Sequence, residues 1–109
     1  MRRELAAGNT YRAWVGDHPD VRREAMAVVR AVGARGPCNV QLRLTERGPV
    51  TFEINPRFSG TTGMRAHFGY NEVEMALRSF VLGETLSPPQ VREGVALRFW
   101  EETYLEKAA

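Results

Sequence analysis

Cysteine is almost absent from the chain. Cys38 stands alone among 109 residues, which excludes a disulfide framework and a thiolate metal cluster and fits a reducing, cytoplasmic setting. Lysine is nearly missing too: of 15 basic residues only Lys107 is lysine, so the positive charge is carried by arginine. No stretch approaches the ~20 apolar residues of a membrane span. No apolar run follows Met1-Arg2-Arg3, so the start does not read as a signal peptide. There is no charge run either, and a net charge of +2 with dispersed arginines argues against nucleic acid as the partner, although the pI is near 9.1. With neither repeat nor low-complexity segment, residues 1–109 read as one domain, of which 84–109 form a terminal loop and strand.

What is present is ordinary globular composition with 43% hydrophobic and 26% charged residues, enough for one modest core. Residues 10–15 are β-branched and aromatic and predict a strand. Pro19 suits the first turn of a helix, and Val21, Ala25, Val28, Val29 and Val32 recur at helical spacing until Gly33 caps it. His18 reads as the residue of helix entry. Residues 57–70 read as a Gly- and hydroxyl-rich loop with a helical turn near Met64–Phe68. Asn71 followed by Glu74 resembles a capping box ahead of a helix that ends near Leu82, with Gly83 as its cap. A last strand is expected over about 94–101, and the tail beyond it frays or turns helical. Trp14, Trp100 and Tyr104 read as core or interface residues. The order β–α–β–β–α–β, with a hairpin at its centre, predicts an α+β fold: a mainly antiparallel sheet with two packed helices.

The hairpin carries the chemistry. Val40, Leu42 and Leu44 alternate with Gln41, Arg43 and Thr45; after a turn at 46–49, Val50, Phe52 and Ile54 alternate with Thr51, Glu53 and Asn55. Paired residues share a face, so both apolar faces reach the core only in a register whose paired numbers sum to an even value, such as 41 opposite 53 or 55. Gln41 then joins Glu53 and Asn55 on one face, with Arg57 just beyond Pro56. Oxygen ligands beside a guanidinium suit a magnesium ion holding phosphate. A solvated polar strand face is the competing explanation of the same alternation.

The strings Gly-Pro-Cys-Asn-Val-Gln (36–41) and Glu-Ile-Asn-Pro-Arg (53–57) resemble the C-terminal part of an ATP-grasp domain, within that superfamily most closely the carbamoyl-phosphate synthase large-chain group and its small ligase relatives. The resemblance in pattern runs from about Arg2 to Gly83. It implies the C-terminal subdomain of the ATP-grasp fold, with ATP and Mg2+ (or Mn2+) as cofactors. By the same resemblance Gln41 and Glu53 ligate one metal, Glu53 bridges to a second, and Asn55 ligates that second ion. Arg57 would stabilise the transferred phosphoryl group, and Ser59, Gly60, Thr61 and Thr62 would lie near the acceptor substrate. On the residues alone, Arg43 shares the ligand face and is a candidate to reach a phosphate or to pair with Glu53, and Arg65 is a candidate for a substrate carboxylate.

In that family the nucleobase-binding residues, the phosphate-binding lysines and the flexible Gly-rich loop precede this segment, and nothing here corresponds to them. The expected partner is therefore an N-terminal ATP-grasp half, in cis or as a separate chain. The expected function is the phosphate-side wall of a carboxylate–amine or carboxylate–ammonia ligase. The alternative is an inactive module that folds alone or as a homodimer.

Overall fold

The computed structural model describes residues 1–105, and it opens with a strand that the sequence pattern does not announce. β1 (Arg2–Ala6) pairs antiparallel with β2 (Asn9–Val15) through a two-residue turn. Ala7 and Gly8 both hold positive φ there, 47° and 77°, the mirror-image geometry that matches strand twist. The register moves from Glu4 opposite Arg12 to Leu5 opposite Thr10, so Tyr11 is an extra residue, a β-bulge. On the other edge of β2 lies β5 (Gly94–Leu97), also antiparallel, which closes a three-stranded sheet in the order β1-β2-β5. The Arg2 guanidinium stacks on Trp14 at 4.8 Å from the ring centroid, with Arg12 at 5.7 Å.

α1 (Pro19–Ala31) begins as its sequence dictates. Proline takes the first turn, His18 sits at the N-cap without a side-chain bond, and Gly33 follows the helix at φ 64°. Asp20 in the first turn and Arg30 in the last complement the helix dipole. The helix lies on the hairpin of β3 (Asn39–Thr45) and β4 (Gly48–Asn55), where Thr51 Oγ1 donates to Glu24 Oε1 at 3.2 Å. α2 (Thr62–His67) and α3 (Glu72–Ala76) follow, and α3 runs on as a π-helical turn over Leu77–Val81 before Gly83 at φ 68°. Asn71 caps α3 as its spacing implies: its Oδ1 accepts from the Glu74 amide at 3.3 Å.

The α+β class stands, and all strand pairing is antiparallel. Among the described residues the strands form two sheets instead of one, because β3 and β4 pair only with each other there. The helical turn expected near Met64–Phe68 is α2, and Gly69 separates it from α3; the helix expected to run to Leu82 is α-helical only to Ala76 and π-helical over Leu77–Val81. Gly69 holds φ 95°, and a Cβ there would meet the Gln90 carbonyl oxygen at 2.4 Å. The last strand stops at Leu97, not 101, since pairing with β2 ends at Arg12. Expectations for the tail at 106–109 lie outside the described residues.

The core is small. Ala13 is wholly buried on β2, and Phe68, 9% exposed, packs against Gly94 of β5. Leu77, Phe80, Val81 and Leu82 remain exposed after α3, as do Leu44 and Phe52 on the hairpin. Trp100 and Tyr104 are exposed as well, which removes them from the core. The accessible surface is 8740 Å2. A self-contained monomer of this size would expose about 6,100 Å2.

Candidate functional site

The hairpin register decides which side chains meet. At its open end Asn39 faces Asn55, Val40 faces Ile54, and Gln41 faces Glu53. The even-sum register derived from alternation is the one observed there, and it sets Gln41 directly opposite Glu53. One residue further the ladder slips to Leu42 opposite Thr51 and Arg43 opposite Val50. Phe52 is the extra residue of a bulge, and beyond it the faces of β4 are exchanged relative to β3. Thr51, expected beside Glu53, points to Glu24 of α1 instead. The bulge confines the polar face to the last three residue pairs.

Within those pairs Asn55 Nδ2 donates to Glu53 Oε1 at 2.6 Å, which leaves Asn55 Oδ1 for another partner. Beyond Pro56, Arg57 is exposed and donates from Nη1 to Phe58 O at 2.9 Å, so its other N–H groups face solvent. The loop behind it is tightly tied. Ser59 Oγ and Thr61 Oγ1 share a hydrogen bond of 2.8 Å, and Thr61 is 1% exposed. Thr62 Oγ1 lies 2.7 Å from Ser59 O and 2.5 Å from Glu72 Oε1, its one proton serving either.

A cavity of about 540 Å3 lies between the three-stranded sheet and the hairpin. Gln41, Glu53, Arg57, Ser59, Gly60 and Thr61 line it from the hairpin side. Arg3, Asn9 and Thr10 close it from β1 and β2, and Arg98 from just after β5. Two guanidiniums span the gap. Arg3 Nη2 donates to Gln41 Oε1, and Arg98 Nη2 donates to Gly60 O at 2.8 Å. Arg3, Arg57 and Arg98 against the one carboxylate of Glu53 make the lining cationic, as suits an anionic ligand.

Asn55, Arg43, Thr62 and Arg65 stand outside this lining. Asn55 borders it through Glu53. Arg43 lies past the bulge, opposite Val50. Arg65 is turned inward: Nη1 donates to Glu72 Oε2 and Nη2 to Asn39 Oδ1, each at 3.1 Å. Its guanidinium joins α2, the start of α3 and the first residue of β3, holding the Ser59–Thr62 loop against the hairpin. Its charge also reaches the half-buried N-terminal amine, whose pKa is lowered by burial first and by Arg65 second. His67 is exposed, with its ring edge-on to Phe68, and Cys38 is half-buried and unpaired.

Of the lining residues that escaped the sequence reading, those with polar side chains are Arg3, Asn9, Thr10, Asn39 and Arg98. The first belongs to the unannounced strand β1. Arg98 alternates with apolar neighbours at 97 and 99, which marks a strand but no site. The available signal was Gly8-Asn9, a turn dipeptide ahead of a β-branched run.

Among the described residues no cluster of three or more His, Cys, Asp or Glu is placed to hold a metal. The set here is of another kind, one carboxylate with the amide oxygens of Gln41 and Asn55. These are hard oxygen donors of the sort Mg2+ takes, and a single carboxylate leaves the ion charge to share with phosphate. The donor set fits that ion.

The α+β fold with its antiparallel sheets is compatible with the C-terminal subdomain of an ATP-grasp domain, a class of ATP-binding ligases. A family profile described as "ATP-grasp in the biosynthetic pathway with Ter operon" matches residues 1–103, and the chain belongs to that family. Comparison with curated proteins and with solved structures gave no match. No helix among the described residues is long and apolar enough to cross a membrane.

Proposed function

We propose that the chain supplies the metal- and phosphate-binding wall of an ATP-grasp ligase that activates a carboxylate as an acyl-phosphate for attack by an amine or ammonia. The resemblance of its motifs to the carbamoyl-phosphate synthase large-chain group supports this chemistry, and the family description speaks of a biosynthetic pathway with the Ter operon. The observation that carries this reading is the pairing of Gln41 with Glu53 across the hairpin, with Asn55 bonded to Glu53 and Arg57 in the same cleft.

ATP with Mg2+, when bound, supplies the phosphoryl group and neutralises its charge. The chain's residues do the positioning, which is most of what phosphoryl transfer needs. Gln41, Glu53 and Asn55 present the ligating oxygens. Arg57 would offer its remaining N–H donors to phosphoryl oxygens, a planar fork that lysine would not reproduce. Ser59, Gly60 and Thr61 form the acceptor side, held rigid by Thr62, Glu72 and Arg65. Arg43 is left without a role, since it lies off the cleft.

Calorimetry of Mg-ADP binding to the chain, alone and with a separately expressed upstream ATP-grasp half, tests the reading. Glu53→Ala and Asn55→Ala are expected to weaken binding by tenfold or more; unchanged affinity in both would overturn the assignment.

The accessible surface favours a companion surface. An excess of about 2,600 Å2 over a monomer's expected area, with Leu77, Phe80, Val81 and Leu82 exposed, fits packing against another polypeptide. An ATP-grasp half is the partner under the main reading. An inactive module paired with a second copy is the other reading, and sedimentation of the purified chain separates them: a concentration-independent monomer excludes the homodimer.

A further inference from the structure

Arg3 has a position that neither its strand nor its pairing explains. It sits on β1, in the sheet opposite the hairpin, and its Nη2 donates across the cleft to Gln41 Oε1. Thr10 Oγ1 lies 3.5 Å from its Nη1, at the limit of a hydrogen bond. A guanidinium carries five donors, so most of this fork is uncommitted within a cleft that holds a single carboxylate. Its acceptor is also the one oxygen that Gln41 has to offer a cation. An amide oxygen has two lone pairs, but a guanidinium and a divalent cation within hydrogen-bond reach of one oxygen repel strongly. Gln41 Oε1 therefore serves one of them at a time.

We propose that Arg3 is an anion-binding residue exchanged against the metal. Without metal it rests on Gln41 Oε1; when that oxygen turns to a cation, Arg3 swings free and its fork closes on the oxyanion that arrives with the metal, a phosphate chain. The exchange makes metal and polyphosphate binding mutually reinforcing, because each removes a cost of the other. It rests on the reading of Gln41 as a metal ligand. It needs no backbone movement, since Arg3 lies on a paired strand and only its side chain crosses the gap.

The test is Mn2+ binding to the full chain, followed by electron paramagnetic resonance, with and without inorganic tripolyphosphate. In the wild type tripolyphosphate is expected to tighten Mn2+ binding. In Arg3→Gln, Mn2+ alone is expected to bind about tenfold more tightly, the worth of one charge-assisted hydrogen bond, and the gain from tripolyphosphate to shrink by a similar factor. Arg3→Lys, which keeps the charge and loses the fork, is expected to retain less than half of the wild-type gain. Unchanged Mn2+ affinity and unchanged gain in a folded Arg3→Gln overturn the exchange. Should that variant not fold, the wild type decides: the Arg3 Nε–H resonance moves on Mg2+ addition if Arg3 leaves Gln41, and a stationary resonance overturns the proposal. Gln41→Ala keeps the two readings apart. If it leaves Mn2+ affinity unchanged, the ligand assignment fails and the exchange with it. If it weakens Mn2+ while Arg3→Gln changes nothing, only the exchange fails.

Discussion

Replacing Glu72 by alanine perturbs the site from behind without touching its lining. Glu72 is 8% exposed and its two oxygens face separate partners, Arg65 at 3.1 Å and Thr62 at 2.5 Å. Removing one member of a buried ion pair costs about 3–5 kcal/mol, mostly because the other charge is stranded. Arg65 is 23% exposed and keeps its bond to Asn39, so water softens the penalty and the lower bound, about 3 kcal/mol, applies. The lost Thr62 contact is partly offset by Ser59 O, already within 2.7 Å. For a chain of this length about 3 kcal/mol corresponds to a fall in Tm of more than about 10 °C. Glu72→Gln keeps the shape and the Thr62 contact and is expected to cost about 1–2 kcal/mol. Urea denaturation followed by circular dichroism measures both, and Arg65→Met combined with Glu72→Ala closes the cycle. Because the partners act as one unit, the double variant should cost less than the sum of the singles. A Glu72→Ala penalty under about 0.5 kcal/mol, the size of an ordinary surface substitution, would refute the claim that this pair anchors the loop.

Three further substitutions test the packing that positions the cleft. Gly69→Ala combines a φ of 95° with a Cβ 2.4 Å from the Gln90 carbonyl, and thermal denaturation should show a loss of about 2 kcal/mol or more, beyond the usual strain of a non-glycine residue there. Gly94→Ala drives a methyl to 2.5 Å from the Phe68 ring; a loss of about 1–3 kcal/mol is expected, as for other overpacked cores, and Phe68→Leu in the same chain should recover part of it. Asn71→Ala removes the α3 cap and should cost about 1 kcal/mol in a urea titration.

The parts legible in the sequence were those with strong local rules. Proline at the start and glycine at the end delimited α1, and the Asn71 cap announced α3. Strict alternation gave the hairpin, and parity put Gln41 on the face of Glu53 and Asn55 while leaving open which of the two it opposes. What escaped depended on contacts remote in sequence. β1 reads Arg-Arg-Glu-Leu-Ala with no alternation and exists because β2 offers it an edge. The Phe52 bulge is invisible to a parity rule that assumes an unbroken ladder, so Thr51 and Arg43 were set on a longer polar face than the hairpin has. Arg65 resembled a free substrate ligand because nothing local marks Glu72, seven residues on, as its partner. The separation into two sheets follows from the same cause, since alternation gives a strand's faces but not its neighbours.

The central claim is that Gln41, Glu53 and Asn55 are the metal ligands at the open end of the hairpin. Paramagnetic broadening by substoichiometric Mn2+ in a 15N-labelled sample reads this most directly. The side-chain amides of Gln41 and Asn55 and the backbone amide of Glu53 should broaden first, and Glu53→Gln should abolish the effect at the same Mn2+ concentration. Broadening centred elsewhere in the chain, or spread evenly over its carboxylates and untouched by Glu53→Gln, would contradict it.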